Sequence, residues 1–166
     1  MNDGNITPGM PTAMTPPPLD LDLATVDISM PLLLDGMYDL RIAKVEIKST
    51  AGGGRMIHID HVTTDPGTSR TGTVLNPGVH LFNNVNIVPT GKATWDMIAK
   101  QVGGLVQAAE FPTGVARLDN VDQWAPQLIG KIVRAKVGYK PAGINAKNGK
   151  AFKEANEILY YTKRTA

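Results

Sequence analysis

The densest chemistry in this sequence lies in "KVGYKPAGINAKNGKAFKEANEILYY", residues 136–161. Here Lys136, Lys140, Lys147, Lys150 and Lys153 gather around two glycine turns, in company with Tyr139, Phe152 and Tyr161. Ammonium groups mixed with aromatic rings are what an unpaired polynucleotide needs: cations for its phosphates and ring faces for its bases. Just upstream, Val133, Ala135, Val137 and Tyr139 share one parity of "KIVRAKVGY", and Arg134 and Lys136 take the other. A strand there would carry a basic face opposite its core face. Tyr139 follows the core parity, yet with Phe152 and Tyr161 it stands beside basic residues at strand ends, which makes these three the stacking candidates.

Other constellations fail when their geometry is required. In "HIDH", a strand would place His58 and Asp60 on one face and His61 on the other. Two ligands do not make a zinc site, and His80 would have to arrive from another strand. The stretch "TGKAT" lacks the glycine that a phosphate loop needs at Asn86 and the hydroxyl it needs at Ala93. Asp119 and Asp122 in "LDNVDQW" are accounted for by turn and cap chemistry as well as by paired carboxylates. With no cysteine in the chain, thiolate metal sites, disulfides and cysteine nucleophiles drop out together. No nucleophile, base and orienting group come together, so the expectation is a protein that is not an enzyme, with no cofactor and no metal.

Charge is distributed unevenly over the 166 residues, although the net charge is only +2. Residues 1–35 hold five aspartates and no base, residues 36–130 balance, and residues 131–166 hold nine bases against Glu154 and Glu157. An acidic head and a basic tail point to a polyanionic partner. The first base is Arg41, and no apolar run before it is long enough for a signal core or a membrane span. These features predict a soluble, cytoplasmic protein with no membrane partner.

The elements that must position these residues are short strands. The segment "GMYDLRIAKVEIK" alternates Tyr38, Leu40 and Ile42 on one parity and Val45 and Ile47 on the other, with one slip near Ala43 and Lys44. Such a slip is the sequence trace of a β-bulge, which bends a strand enough to serve two halves of a barrel. Lys48, the loop "STAGGGR" with Arg55, the strand "MIHIDHVTT", the turn "DPGTSR", the strand "TGTVL" and the turn "NPG" follow. After Thr90 as N-cap, Trp95, Ile98, Ala99 and Val102 have helical spacing, and Gly103-Gly104 should end that helix, with Trp95 in the core. Phe82 and Tyr38 also read as interior. "KIVRAKVGY" and "EANEILYY" complete the order β, β, β, helix, β, β.

Five strands with a helix between the third and fourth is the order of an all-β, OB-fold-like barrel, whose loops 1–2 and 4–5 flank an oligonucleotide groove. The expected nucleic-acid-binding residues are therefore Lys48, Arg55, Arg134, Lys136, Tyr139, Lys140, Lys147, Lys150, Phe152, Lys153 and Tyr161. On "GMYDLRI", "LIGKIVRAKV" (residues 128–137) and "NEILYY", the chain resembles the phage-encoded OB-fold single-stranded DNA-binding proteins over residues 36–161. That resemblance implies non-sequence-specific binding of single-stranded DNA in phage replication or recombination.

Domain boundaries are expected at 36–162, with a basic tail at 163–166 and an acidic, proline-rich arm at 1–35. Pro16-Pro17-Pro18 favours extended geometry. In the arm Leu19, Leu21, Leu23, Val26 and Ile28 are interleaved with acids, a pattern suited to solvated chain, to an added edge strand or to self-association. An acidic leader tethered to a basic domain can also compete weakly for the groove. The alternative function is that of a phage structural or assembly protein, with the barrel as scaffold and the arm as subunit contact.

Overall fold

The computed structural model describes Ala24 and residues 31–91, 93–112 and 114–164. Expectations for the arm before residue 31 lie outside the described residues.

The long first strand, β1 (Gly36–Ser49), is built around the slip seen in its sequence. Its register with β2 (Arg55–Thr63) shifts between Ile42 and Lys44. Ahead of the shift Leu40 and Ile42 are fully buried; beyond it Val45 and Ile47 pack against the same core from the opposite parity. An extra residue keeps both apolar sets inward while the strand bends. This lets β1 pair with β6 (Ile132–Lys140) over Gly36 to Arg41 and with β2 from Leu40 onward.

Between β2 and the next long strand runs a two-stranded excursion, β3 (Gly67–Thr68) and β4 (Val74–Leu75). "TGTVL" is thus only a two-residue strand in a side ribbon, and the sheet's third member is β5 (His80–Asn86). The period-2 pattern of "HLFNN" carries that strand, and its apolar positions Leu81 and Val85 are buried. After β6 a second ribbon, β7 (Gly143–Ile144) with β8 (Ala151–Phe152), precedes β9 (Ala155–Thr162). The five long strands form one antiparallel sheet in the order β5-β2-β1-β6-β9. No ladder joins β5 to β9 among the described residues, so the sheet is open. The Asn83 side chain of β5 nevertheless donates to the Tyr161 hydroxyl of β9 at 2.9 Å, bringing the two edges together.

Helix α1 (Trp95–Ala108) covers the inner face of the sheet with Ile98, Val102, Leu105 and Ala108. Its N-cap is Thr94, whose hydroxyl accepts from the Met97 amide, and not Thr90. Gly103-Gly104 lies inside the helix rather than at its end. The stop is a Schellman closure: Glu110 N–H donates to Gln107 O and Phe111 N–H to Val106 O, with Glu110 at φ 53°. Trp95, expected in the core, is 57% exposed, because its first turn stands clear of the apolar stripe. The buried tryptophan is Trp124, in α2 (Val121–Trp124); its indole N–H donates to Arg117 O at 2.8 Å and its ring meets Phe111.

The described residues from Pro31 onward belong to one compact unit. Leu33 is fully buried, and the Asn156 side chain reads its backbone as a strand would, accepting from its N–H at 2.7 Å and donating to its C=O at 2.9 Å. No helix among the described residues is long and apolar enough to cross a membrane.

Candidate nucleic-acid interface

Alternation fixes which side chains of β1, β2 and β5 face away from the core. Ile57, Ile59, Leu81 and Val85 point inward. The ladders therefore set Lys44, Glu46 and Lys48 of β1 beside Asp60, His58 and Met56 of β2, and these beside Phe82, Asn84 and Asn86 of β5. At the centre of this outer face three rings lie nearly parallel. The His58 ring is 5.8 Å from that of Phe82 with 12° between planes, and the His80 ring is 6.3 Å away on the other side with 20° between planes.

Hydrogen bonds hold the outer rings of this row. His58 Nδ1 donates to Asn84 Oδ1 at 2.6 Å, and His80 Nδ1 lies 2.9 Å from Asp60 Oδ1. Phe82, half exposed, is left with open ring surface. Rows of rings on a sheet are stacking platforms for any base, since every base has a π-face. Lys44 and Lys48 flank the row, both paired with Glu46, at 2.8 and 3.7 Å.

Beneath the row the interior is polar at one point. Buried His61 donates from Nδ1 to Leu81 O, and its Nε2 accepts from the Tyr161 hydroxyl, which takes the Asn83 amide. Burial lowers the His61 pKa to about 4 and pushes the Tyr161 hydroxyl up. His61 is therefore neutral, with the tautomer its partners require.

The second basic locus is the excursion after β6. Lys140 Nζ stands 4.9 Å over the Phe152 ring, which is 37% exposed. Phe152 lies so close over Gly143 that a Cβ there would sit 2.8 Å from the ring, so a larger residue at this position would push the ring aside. Lys147 and Lys150 occupy the turn, closed by Asn145 N–H to Lys150 O and Gly149 N–H to Asn145 O. Among the described residues Lys136, Lys140, Lys147, Lys150 and Lys153 have no carboxylate within ion-pair distance.

Residues 19–160, most of the chain, match the family described as Protein of unknown function (DUF669). The chain belongs to the DUF669 family. No curated protein matches it.

In this DUF669 protein the residues expected to bind nucleic acid fall into three groups. Lys136, Tyr139, Lys140, Lys147, Lys150, Phe152 and Lys153 lie along the end of β6 and its ribbon. Tyr139 has the Arg70 guanidinium 3.7 Å over its ring and donates from its hydroxyl to Glu154, which raises its pKa. Lys48 and Arg55 lie at the other end of β1, since Ser49 pairs with Arg55 while Gly36 pairs with Val137. Arg55 is held bidentate by Asp122 at 2.9 Å, and Arg134 is paired with Asp39 at 3.0 Å; Arg164 of the tail also reaches Asp39. Tyr161 stands apart, its hydroxyl committed to the buried network.

The His58, Phe82 and His80 row was not expected. Its signal was present: Phe82 shares a parity with His80 in "HLF", and His58 lies on the matching parity of "HIDH". Reading it required the β2–β5 register, which the loop between them conceals. His58, Asp60 and His80 do not make a metal centre, because no group of three or more His, Asp or Glu among the described residues is placed to hold an ion.

Proposed function

We propose that this DUF669 protein binds single-stranded DNA without sequence specificity, through an OB-fold-like barrel, in phage replication or recombination. The observation that carries the reading is the row His58, Phe82, His80 on the outer face of β2 and β5. In chain order among the five long strands these are the second and third, the pair that carries ligand in OB-folds. The strand order, the helix between the third and fourth long strands, and the approach of Asn83 to Tyr161 across the open edge support the barrel. Lysines free of carboxylates on the ribbon supply the phosphate contacts, and the resemblance of "GMYDLRI", "LIGKIVRAKV" and "NEILYY" supports the phage setting.

Retention on immobilised single-stranded DNA, eluted by a salt gradient, tests this function. Elution at moderate salt, with weaker retention of Phe82→Ala, agrees with it. Passage of the intact chain through the matrix at low salt, with salt-insensitive self-association instead, favours the scaffold role.

A further inference from the structure

Where the sheet fails to close, a cleft of about 250 Å³ opens between β5, β9 and α1. It is lined by Asn83 and Asn84 from β5, Tyr160 and its neighbours from β9, and Lys100, Gln101 and Gly104 from α1. We propose that this cleft seats one unstacked nucleobase, so that a strand bound on the outer face places a base over the edge of β5. The proposal rests on the single-strand reading above and adds to it a site with some base preference.

Size, polarity and position converge on a base. The volume lies below the roughly 300–1,000 Å³ that encloses drug-sized ligands, and suits one planar ring system. Asn83 spends its amide N–H on Tyr161, and Asn84 spends its carbonyl on His58. Asn83 and Asn84 lie on opposite parities of β5, so Asn83 Oδ1 and Asn84 Nδ2, both without a protein partner among the described residues, meet the cleft from different sides. The Gln101 side-chain amide on the helix wall carries a donor and an acceptor on one group. Every nucleobase carries a neighbouring donor and acceptor on its pairing edge, and proteins read unstacked bases there. Tyr160, 55% exposed, offers a ring on the opposite wall. Lys100 has no carboxylate within ion-pair distance among the described residues and can meet the phosphate. Lys136, the residue directly across from Tyr160 on β6, can meet the next one. Asn84 belongs to both features, to the cleft as lining and to the ring row as the partner of His58, so the two form one surface.

The helix supports the same reading. Gly103 and Gly104 sit inside α1, where glycine is less favourable than alanine. A Cβ at either position meets nothing within 4 Å, so packing demands neither. Gly104 lines the cleft and its neighbour does not. The absent side chain at Gly104 keeps the cleft open.

The test uses the full chain, labelled with ¹⁵N and titrated to millimolar concentration with each of the four deoxynucleoside monophosphates. The expected result is saturable shifts of the Asn83, Asn84 and Gln101 side-chain amides with at least one nucleotide. Gly104→Leu, which fills the cleft, should abolish them, and Gly103→Leu, the same change one residue away, should retain them. Homo-oligonucleotides should then differ in affinity by about five-fold or more, as expected for one good paired contact to a base, and lose that difference in Gly104→Leu. No shift with any nucleotide, or shifts that survive Gly104→Leu, overturns the site. Equal affinity for all four homo-oligonucleotides overturns it too, and leaves non-specific binding standing. Nucleotide shifts confined to the cleft, in a protein that binds no single strand, would keep the site and remove the polymer reading.

Discussion

His58 and Phe82 come from strands whose pairing the sequence leaves open, and their rings lie 5.8 Å apart and 12° from parallel on the outer face of the sheet. Phe82 is half exposed, so its ring contributes little to the core. Phe82→Ala should therefore lower affinity for a short single-stranded oligonucleotide by about 1–3 kcal/mol, the worth of one stacked base. The melting temperature should hardly move. Fluorescence anisotropy beside thermal melting checks both; a large fall in melting temperature would make Phe82 a core residue instead.

The two tryptophans should separate by stability. Trp124 is fully buried against Phe111 with its N–H satisfied, so Trp124→Ala should cost about 3–5 kcal/mol in urea unfolding. Trp95→Ala, at an exposed helix start, should stay within about 0.5 kcal/mol.

His61 predicts how stability depends on pH. Burial lowers its folded-state pKa to about 4, from an ordinary value of 6.5. Between those values the unfolded chain binds the proton and the folded chain does not, so stability rises with pH across that window. The contribution is fully present above pH 6.5 and falls as the pH drops towards 4, by about 3 kcal/mol at most. Urea unfolding at pH 7.5 and 4.5 should show this loss. His61→Gln, which cannot titrate, should be less stable at pH 7.5 but show a flatter profile.

Much of the scaffold was legible because it depends on alternation. The phase slip at Ala43 and Lys44 in "RIAKVEIK" marked the bulge, and "KIVRAKVGY" marked β6 with its core parity. Non-local matters were not legible. Trp95 has the spacing of a core residue, but spacing cannot say where the helix clears the sheet. Gly103-Gly104 has the composition of a helix stop, but packing of Leu105 and Ala108 carries the helix through it, and Glu110 takes the left-handed position. For the candidate interface, local composition marked the lysine ribbon. The ring row depends on which residue of β5 lies beside which of β2, and a connection with its own two-stranded ribbon lies between them.

The ribbon itself gives a graded test. Reversing Lys140, Lys147, Lys150 and Lys153 to glutamate removes cations that have no carboxylate to satisfy, so folding should tolerate the change. Each lost phosphate contact should reduce the slope of log affinity against log salt by about 0.7, the single-strand value. An unchanged slope would place the phosphates elsewhere.

The most direct measurement of the central claim is the affinity of the intact chain for a single-stranded oligonucleotide across a series of salt concentrations. Single-strand binding through the lysines and the ring row predicts affinity that falls linearly in log salt, with a residual, salt-insensitive part that disappears in Phe82→Ala. Undetectable binding at low salt, or affinity indifferent to both salt and Phe82, would contradict it.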